Sequence, residues 1–435
     1  MAVSVVRNMR EQASGLTREQ RSAFVASFLG WAMDAFDYFL IIFVFAEIAK
    51  EFGTSLVKVQ VATTLTLAAR PVGALLFGLL ADRFGRRIPL MVDVAFYSLI
   101  EFVTGFSTSI TMLLALRLLF GIGMGGEWGI GASLAMEKIP REKRGFYSGL
   151  LQQGYPFGYL LAAIAYYLIG KNFGWRAMFI FGSLPALLVL FIRARVGESE
   201  AWVQARRRET TVREVFFNRR ILGRFLFLVV LMTLFNFMSH GTQDQYPTFL
   251  KEQHHYSANL AVLVAVIYNV GALIGGVTIG AWSQVVGRRR AVVTVTLLAL
   301  PIVPLFAFSS TLGLIALGSF LMQFLVQGAW GIIPAHLSEL SPDEIRGFYP
   351  GVTYQLGNLL AAINLPLQTR LAEHYQDNFG LGMALVIVPV LLLTALVVWL
   401  GPEDREAELG KVTVGTTARA EQRRRQPSAP RPATE

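Results

Sequence analysis

The chain has 435 residues, of which 54% are hydrophobic and only 16% are charged. Soluble domains carry about a quarter charged residues, so this composition excludes a soluble enzyme, a disordered binder and a secreted disulfide scaffold. Cysteine is absent, and none of the five histidines pairs at a helical metal-ligand spacing, so we expect no metal ion and no cofactor. The net charge of +10 would suit nucleic acid unless the basic residues cluster in the loops of a membrane protein.

Apolar stretches long enough to cross a bilayer, which takes about 20 residues of helix, recur along the chain. Two of them, 145–170 and 381–400, contain no charged residue. The basic N-terminus lacks the apolar core and cleavage site of a signal peptide. We predict an all-α membrane protein whose twelve transmembrane helices are 22–49, 58–80, 89–107, 110–135, 145–169, 176–195, 222–250, 259–281, 291–310, 313–337, 347–371 and 381–400.

Basic residues predict the orientation of these spans. Of the 39 lysines and arginines, 31 lie on the side of both termini, six lie on the other side, and Arg70 and Arg117 lie inside spans. The positive-inside rule then places both termini in the cytoplasm, with the protein in the inner membrane. We therefore expect the lipid bilayer, and not nucleic acid, as the partner of the basic residues. The predicted segments are a cytoplasmic N-terminus 1–21, a bundle 22–195, a central loop 196–221, a bundle 222–400 and a basic, proline-containing tail 401–435 that we expect to be disordered.

The two halves of the chain repeat each other at a fixed offset of 202 residues. Matching pairs are Gly85 and Gly287, Arg86 and Arg288, Trp128 and Trp330, Glu137 and Glu339, and the segments 144–147 and 346–349. A single ungapped register of this kind predicts two pseudo-symmetric six-helix bundles, related by an axis along the membrane normal.

The loops after the second and eighth spans resemble the signature of the major facilitator superfamily. The first copy reads GLLADRFGRR over 78–87, and the second reads GAWSQVVGRR over 280–289, where Gln284 replaces the acid. In that family the two bundles rock around a central site to give alternating access, and this loop serves as a structural latch. The residues to which the resemblance gives gating roles are Asp82, Arg86, Arg87, Arg288 and Arg289.

Ionisable side chains at bilayer depth are costly, so each is a candidate for function. Asp34 and Asp37 lie in the middle of the first span on one face of the helix. Two close carboxylates repel each other, which favours a proton on one of them near neutral pH. We predict proton coupling for this pair, and the alternative is a pair of caps or salt-bridge partners. At the offset of 202 residues they map onto Asn236 and Ser239, which favours a shared central cavity.

The seventh span carries a polar stripe. Asn236, His240 and Gln243 fall at i, i+4 and i+7 on one helix face, and Ser239 and Asp244 flank them. Amide and hydroxyl donors suit a carboxylate or hydroxyl group, and histidine titrates near neutral pH. Asp244 would exchange a proton or hold His240 charged. A structural histidine is the alternative, but several polar groups on one membrane helix favour a substrate path.

This stretch reads N-x-x-S-H-x-x-Q-D-x-x-x-T from Asn236 to Thr248 and resembles the signature of the carboxylate/sialate:proton symporter family. That family includes fungal lactate and pyruvate permeases and bacterial sialic acid permeases. The segments WAMDAFDYF over 31–39 and GGEWG over 125–129 resemble the same family. The residues that the resemblance puts at or beside the substrate path are Asn236, Ser239, His240, Gln243, Asp244 and Thr248.

The fourth span supplies Arg117 and Glu127, which lie about 80° apart around the helix and so do not pair directly. We predict that Arg117 binds the substrate carboxylate or relays a proton, and a static ion pair is the alternative. Glu127 joins Asp34, Asp37 and Asp244 as a candidate proton carrier.

Other intramembrane polar residues rank below these. Arg70 precedes Pro71 and would bind backbone carbonyl groups freed by a kink. Asp93 and Glu101 in the third span are possible partners for the arginines, and the sequence does not assign the pairs. The remaining substrate candidates are Gln153 and Gln355, which match at the offset of 202 residues.

Together these residues predict a secondary active transporter and not an enzyme. The chain has no P-loop for a nucleotide, so the driving force is an ion gradient. A monocarboxylate such as lactate or pyruvate moving with one proton is electroneutral, which makes proton symport of a small organic anion the favoured function. Sialic acid:proton symport and aromatic acid:proton symport remain as alternatives. We expect the protein to function as a monomer.

Overall fold

A computed structural model describes residues 11–205, 218–405, 407 and 409, and the described part of the chain contains helices but no β-strand. The predictions for residues 1–10, for residues 206–217 of the central loop and for most of the tail lie outside these residues. Eight helices in the described part are long and apolar enough to cross a membrane, and a bent pair makes a ninth. The predicted all-α membrane fold is confirmed.

The first bundle contains six helical segments, which we number as spans in chain order. They are Arg18–Phe43 (continued by Phe45–Glu51), Leu56–Phe84, Arg87–Thr104, Ile110–Lys138, the broken fifth span Arg144–Gln152 and Gly154–Ala165, and the bent sixth span Lys171–Phe181 and Ala186–Arg195. Hydroxyl groups cap several starts: Thr17, Ser55 and Ser109 each accept a bond from a backbone N–H two or three residues into the helix.

The second bundle repeats this arrangement. Its spans are Arg219–Gln243, Ala258–Val286, the ninth span Arg288–Ala299 and Val303–Ala307, the tenth span Leu312–Trp330 and Ile333–Leu340, the eleventh span Tyr349–Ala361 and Asn364–His374, and Phe379–Leu400. The seventh span ends at Gln243, and the short helices Tyr246–Thr248 and Phe249–Gln253 follow it. The third span carries three charged residues, Arg87, Asp93 and Glu101.

Packing between spans follows the same rule in both halves. The first span packs on the fifth as the seventh packs on the eleventh, and the second packs on the fourth as the eighth packs on the tenth. The bundles meet through two reciprocal contacts, the fifth span against the eighth and the second against the eleventh. Two repeats related by one axis produce such a reciprocal pair of contacts, so the predicted pseudo-symmetric pair of bundles is confirmed.

Small residues let the bundles touch backbone to backbone where the fifth and eighth spans cross. A Cβ atom added to Gly145 would lie 2.5 Å from the carbonyl oxygen of Gly280, and one added to Gly280 would lie 2.7 Å from the carbonyl oxygen of Gly145. Any larger side chain here would separate the bundles, so glycine is needed for this close approach.

Candidate functional site: a chamber between the two bundles

Hydrogen bonds join the bundles on the side of the two signature loops, which we call the latch side. The Asp82 carboxylate accepts from the backbone N–H groups of Gly347 (2.7 Å) and Phe348 (3.0 Å) in the other bundle. The Gln284 side chain accepts from the backbone N–H of Gly145 at 3.0 Å. The two contacts occupy equivalent positions at the offset of 202 residues. They hold the bundles together symmetrically.

A buried arginine organises each loop. Arg86 donates to Asp82 at 2.6 Å and to Glu137 at 3.0 Å, and its side chain is fully buried. Glu137 also lies 3.5 Å from Arg346 of the second bundle, so this ion pair reaches across the interface. The equivalent bonds in the second bundle join Arg288 to Gln284 at 2.7 Å and to Glu339 at 2.9 Å.

The next arginine of each loop ties it to the last span of its own bundle. Arg87 donates to the carbonyl oxygen of Arg193 at 2.5 Å, and Arg289 donates to that of Gly401 at 3.2 Å. All five residues predicted to gate therefore lie in or beside the latch contacts. Their gating role stays a prediction.

A third link on the latch side comes from the N-terminal segment. Gln12 is buried, donates to the carbonyl oxygen of Ala281 in the second bundle at 3.2 Å and accepts from the backbone N–H of Phe146 in the first at 3.1 Å. One side chain thus bridges both bundles next to the latch.

Aromatic side chains form a layer above the latch. Trp31 stacks on Tyr155 with their ring centroids 5.3 Å apart, and Tyr354 lies 4.6 Å from Trp128 and 5.7 Å from Trp330. Tyr354 is about 10 Å along its helix from the latch contact. All three tryptophans are buried. The layer closes the space between the bundles on the latch side.

On the other side of this layer the bundles leave a chamber. The side chains of His240 and Asp244 are 39% and 34% exposed, whereas those of Arg86 and Glu137 in the latch are fully buried. Within residues 11–205 and 218–405, the hydrogen bonds that join the bundles lie on the latch side. The protein is therefore closed at the latch and open on the opposite side.

The first bundle contributes a group of fully buried acids at mid-depth, which we call the carboxyl cluster: Asp34, Asp37, Asp93, Glu101 and Glu127. Within the described residues, no oxygen of Asp34, Asp37, Asp93 or Glu127 has a hydrogen-bond partner. The structure thus brings together the three acids that the sequence predicts for proton coupling in this bundle and adds two more. The cluster contains five acids and only two arginines, Arg70 and Arg117.

Arg117 is engaged within the first bundle. Its guanidinium forms an ion pair with Glu101, donates to Thr104 at 3.0 Å and lies over the rings of Phe120 (4.4 Å) and Phe179 (5.1 Å). These contacts match the static ion pair that the sequence left as the alternative. The Nε and Nη1 atoms of Arg117 have no hydrogen-bond partner within the described residues, and its predicted role in substrate binding stays a prediction.

Arg70 is the second buried arginine beside the carboxyl cluster. It is buried, and its Nε and Nη2 atoms have no hydrogen-bond partner in the described part of the chain. Its guanidinium carbon lies 5.9 Å from the ring centroid of Tyr354 in the second bundle. Its charge acts on Asp34 of the carboxyl cluster and on His240 across the chamber. From the sequence we ranked Arg70 below Arg117 as a functional candidate, although these two are the only lysines or arginines that we counted inside the predicted spans.

The second bundle contributes a neutral hydrogen-bond network. Gln243 donates to Ser239 at 3.1 Å and to Gln323 of the tenth span at 3.2 Å. Gln327, one turn further along that span, donates to Ser239 at 3.0 Å, and Gln323 donates to Thr242 at 3.1 Å. Sequence reasoning missed Gln323 and Gln327, although their i, i+4 spacing on an otherwise apolar helix was a usable signal.

His240 is held between two oxygen atoms at the chamber wall. Its Nδ1 atom lies 3.1 Å from the Asp244 carboxylate, and its Nε2 atom lies 3.3 Å from the Oδ1 atom of Asn358 in the eleventh span. With both ring nitrogens facing oxygen acceptors, this geometry suits a histidine that carries two protons and a positive charge.

Four predicted substrate residues lie outside this network. Asn236 is buried and donates to the backbone of its own helix, as does Gln153, which packs against the second bundle. Gln355 is buried, and its amide has no partner within the described residues. Thr248, which the family resemblance put beside the substrate path, lies in the short helix Tyr246–Thr248 after the end of the seventh span at Gln243, and its role stays a prediction.

This architecture matches known proteins. Residues 27–245 and 245–429 match the family model of the major facilitator superfamily. The chain belongs to the major facilitator superfamily. It is 27% identical over 431 residues to the carboxylic acid transporter protein homolog of Saccharomyces cerevisiae, a match that covers 91% of this chain and 70% of that one.

A second relative of this facilitator is the sialic acid transporter NanX of Escherichia coli, which is 28% identical over 387 residues, covering 88% of this chain and 94% of that one. Among solved structures, that of the proton:xylose symporter XylE matches with a TM-score of 0.71 at 18% identity, covering 90% of this chain and 99% of that one. This last likeness shows the fold alone. The predicted resemblance to carboxylate and sialate transporters is confirmed, and the facilitator is a multi-pass membrane protein that transports a solute and is not an enzyme.

Proposed function

We propose that this facilitator is a proton-coupled symporter of a small organic anion. The observation that carries the proposal is the placement of Arg70, a buried cation with two unbonded nitrogens between an acid cluster and a polar wall. An arginine fork recognises a carboxylate through two parallel hydrogen bonds, so an anionic substrate would supply the partner that Nε and Nη2 of Arg70 lack within the described residues. A neutral sugar would leave that charge unpaired.

The opposite wall completes the substrate site. Ser239, Gln243 and Asn358 offer hydrogen-bonding groups, and His240 adds a second polar contact whose charge is balanced by Asp244. A carboxylate on Arg70 with a keto or hydroxyl group facing this wall fits lactate, pyruvate and similar acids. Both bundles then hold one substrate, and their movement around it exposes it to each side in turn.

Proton coupling is assigned to the carboxyl cluster. If all five acids were ionised, two arginines would leave three charges uncompensated at bilayer depth, which costs several kcal/mol each. The cluster therefore stores protons. The charge of Arg70 acts on both Asp34 and Glu127, so an anion that neutralises Arg70 removes the support for their ionised forms and favours protonation. Substrate and proton thus bind together.

The latch side is proposed to face the cytoplasm, because the basic residues predict that orientation. In that orientation the described structure is the state open to the outside. Protons and anion would enter from the exposed side of the chamber, and opening of the latch would release them inward.

Aromatic acids are the second candidate, and a specific observation favours them. Tyr155 stacks on Trp31, and Tyr38, Phe39 and Tyr159 form further ring contacts on the first and fifth spans. Tyr155 also lies within the electrostatic range of Arg70 and Asp244. A flat ring would stack in this part of the chamber while its carboxylate reached Arg70.

Transport by the purified protein in liposomes tests the proposal. We expect pH-driven accumulation of at least one acid among labelled lactate, pyruvate, benzoate and sialic acid, with counterflow of the same acid. Preference for benzoate would select the aromatic candidate, and preference for sialic acid would select the larger substrate. Two results would contradict the proposed function: accumulation of none of the four acids, or flux of the acid that does not depend on the pH gradient.

A further inference from the structure

Asp93 is a buried acid that substrate binding does not explain. It lies in the third span, is fully buried, and has no hydrogen-bond partner for either carboxylate oxygen within the described residues. Tyr97, one turn further along, is equally buried, and its hydroxyl group also has no partner there. An unpaired acid at this depth contributes neither an ion pair nor a hydrogen bond to the fold, and such residues in membrane helices mark proton or ion paths.

Helix register places Asp93 beside Glu127. The third and fourth spans run antiparallel and cross where a Cβ atom on Gly123 would lie 2.8 Å from the Cβ atom of Tyr97. Asp93, four residues before Tyr97, therefore lies level with Glu127, four residues after Gly123. The electrostatic influence of Glu127 and of Asp34 on Asp93 agrees with this register.

Glu127 in turn connects to the first span. Its side chain lies against Gly30, where an added Cβ atom would collide with the carboxylate, and Asp34 is one helical turn further along. Three acids from three different spans thus follow one another: Asp34 beside Arg70, then Glu127, then Asp93. Asp93 lies six residues from the latch-side end of its helix at Arg87, which is about 9 Å along the helix axis.

We propose that Asp93 is the proton-release residue of this facilitator, separate from the substrate path. Asp93, protonated at rest, gives its proton to water on the latch side, Glu127 then gives its proton to Asp93, and Asp34 gives its proton to Glu127. At each step one O–H bond breaks on the donor acid and one forms on the acceptor, so one proton is moved. Glu127 and Asp93 are then protonated again, and Asp34 is left ionised to take the next proton from the open side. This inference rests on the proposed proton coupling and adds its exit route.

Asp93→Asn tests the route, because the amide keeps the shape of a protonated carboxyl group but neither releases nor takes up a proton near neutral pH. In liposomes that contain a pH-sensitive dye, we measure proton uptake driven by the acid that the wild type accumulates from the four-acid panel. We also measure counterflow of that acid, which needs no net proton movement. We expect substrate-driven proton uptake to fall at least about tenfold, with counterflow and its KM within about twofold of wild type.

Ser98→Ala is the matched control, since Ser98 is a buried, unpartnered polar residue on the same helix, and it should keep both activities. Asp93→Glu should restore part of the proton uptake. Wild-type proton uptake in Asp93→Asn would overturn the inference. Parallel loss of counterflow in Asp93→Asn, without rescue by glutamate, would show a structural role and would also overturn it. Failure of the proposed function is distinguishable, because the wild type itself would then show no substrate-driven proton uptake.

Discussion

The two bundles share one packing scheme and one latch, yet they differ in charge at bilayer depth. Every buried ionisable residue of the carboxyl cluster and its arginines has a neutral counterpart 202 residues later. The pairs are Asp34 and Asn236, Asp37 and Ser239, Arg70 and Ala272, Asp93 and Val295, Glu101 and Val303, Arg117 and Ser319, and Glu127 and Ala329. The latch pair Arg86 and Glu137, by contrast, recurs as Arg288 and Glu339.

If the proposed function holds, this difference separates two kinds of work. Gating would involve both bundles, because each loop contacts the other bundle, and the arginine–glutamate pairs are kept in both. Proton movement is proposed for the first bundle alone, since one buried set of acids is sufficient to carry a proton. The second bundle has the hydrogen-bonding groups proposed to bind the substrate, and its chamber acid, Asp244, is paired with His240.

The largest effect is expected at Arg70. Arg70→Gln keeps a polar side chain but removes the charge and the fork, so substrate affinity should fall at least about 100-fold, or about 3 kcal/mol. The control is Arg117→Gln combined with Glu101→Gln, which neutralises the other buried pair and should leave affinity within about threefold. Counterflow KM measures both. A larger loss of affinity in the Arg117→Gln, Glu101→Gln variant than in Arg70→Gln would assign binding of the substrate carboxylate to Arg117.

Making the first bundle resemble the second should abolish coupling. Asp34→Asn gives the first span the residue found at position 236, and we expect loss of pH-driven accumulation with folding intact. His240→Ala should abolish it as well, by removing a contact on the opposite wall. Uptake assays with thermal unfolding as the folding control check both variants. Normal accumulation in both would contradict the division of work between the bundles.

A smaller effect is expected when the latch is made more symmetric. Gln284→Glu supplies the acid that Asp82 provides in the first loop, and a charged acceptor strengthens the bond from Gly145 by about 1 kcal/mol. The latch-closed state should gain about fivefold in population, and turnover should slow by a similar factor. Because the chain has no cysteine, spin labels at introduced cysteines can report the population directly.

Asp82→Asn is the reciprocal variant, since it weakens the contacts with Gly347 and Phe348 and should favour the latch-open state. A shift of both variants in the same direction would mean that the two loops are not equivalent latches.

The smallest effect is expected far from the chamber, at Glu51. This carboxylate accepts from Arg176 (2.6 Å) and Trp175 (2.5 Å), whereas the equivalent second-bundle residues are the neutral Gln253 and Asn378. Partial burial acts to raise the pKa of Glu51, but the bonds from Arg176 and Trp175 and the charge of Arg176 hold it below its ordinary value of 4.5. The pair therefore stabilises the fold above that pH, and its contribution is lost as the pH falls.

Glu51→Gln should lower the free energy of unfolding by less than about 1 kcal/mol, because both side chains are largely exposed. Thermal unfolding at neutral pH should show the difference, which should shrink as the pH falls below 4.5 and vanish only below the lowered pKa that Glu51 has in the folded protein. An equal difference at both pH values would mean that lost packing, and not the ion pair, causes it.

The sequence predicted the repeat well, because one offset constrains both copies of the loop at once. Asp82 and Gln284, and Arg86 and Arg288, were placed in equivalent positions from that offset alone. The structure adds the contacts of each residue. Asp82 and Gln284 accept hydrogen bonds from the opposite bundle, and the sequence pattern of one loop does not reveal such contacts.

Side-chain partners between spans were harder to predict. Helical spacing gives the face on which a residue lies but not the helix that meets it, so Glu101 was named only as a possible partner for the arginines and was not paired with Arg117. For the same reason the approach of Arg70 to Tyr354 of the second bundle was not predicted. The stripe of the seventh span was predicted from helical spacing up to Gln243, where the helix ends, whereas Thr248 came from the family resemblance and its role stays a prediction.

The most direct test of the division between a charged and a neutral bundle is the stoichiometry of transport. Proton and acid uptake by the wild-type protein should be measured together in the same liposomes, at several membrane potentials. Electroneutral symport predicts about one proton per monocarboxylate and no response to the potential. Acid uptake without protons, or uptake driven by the potential alone, would contradict it.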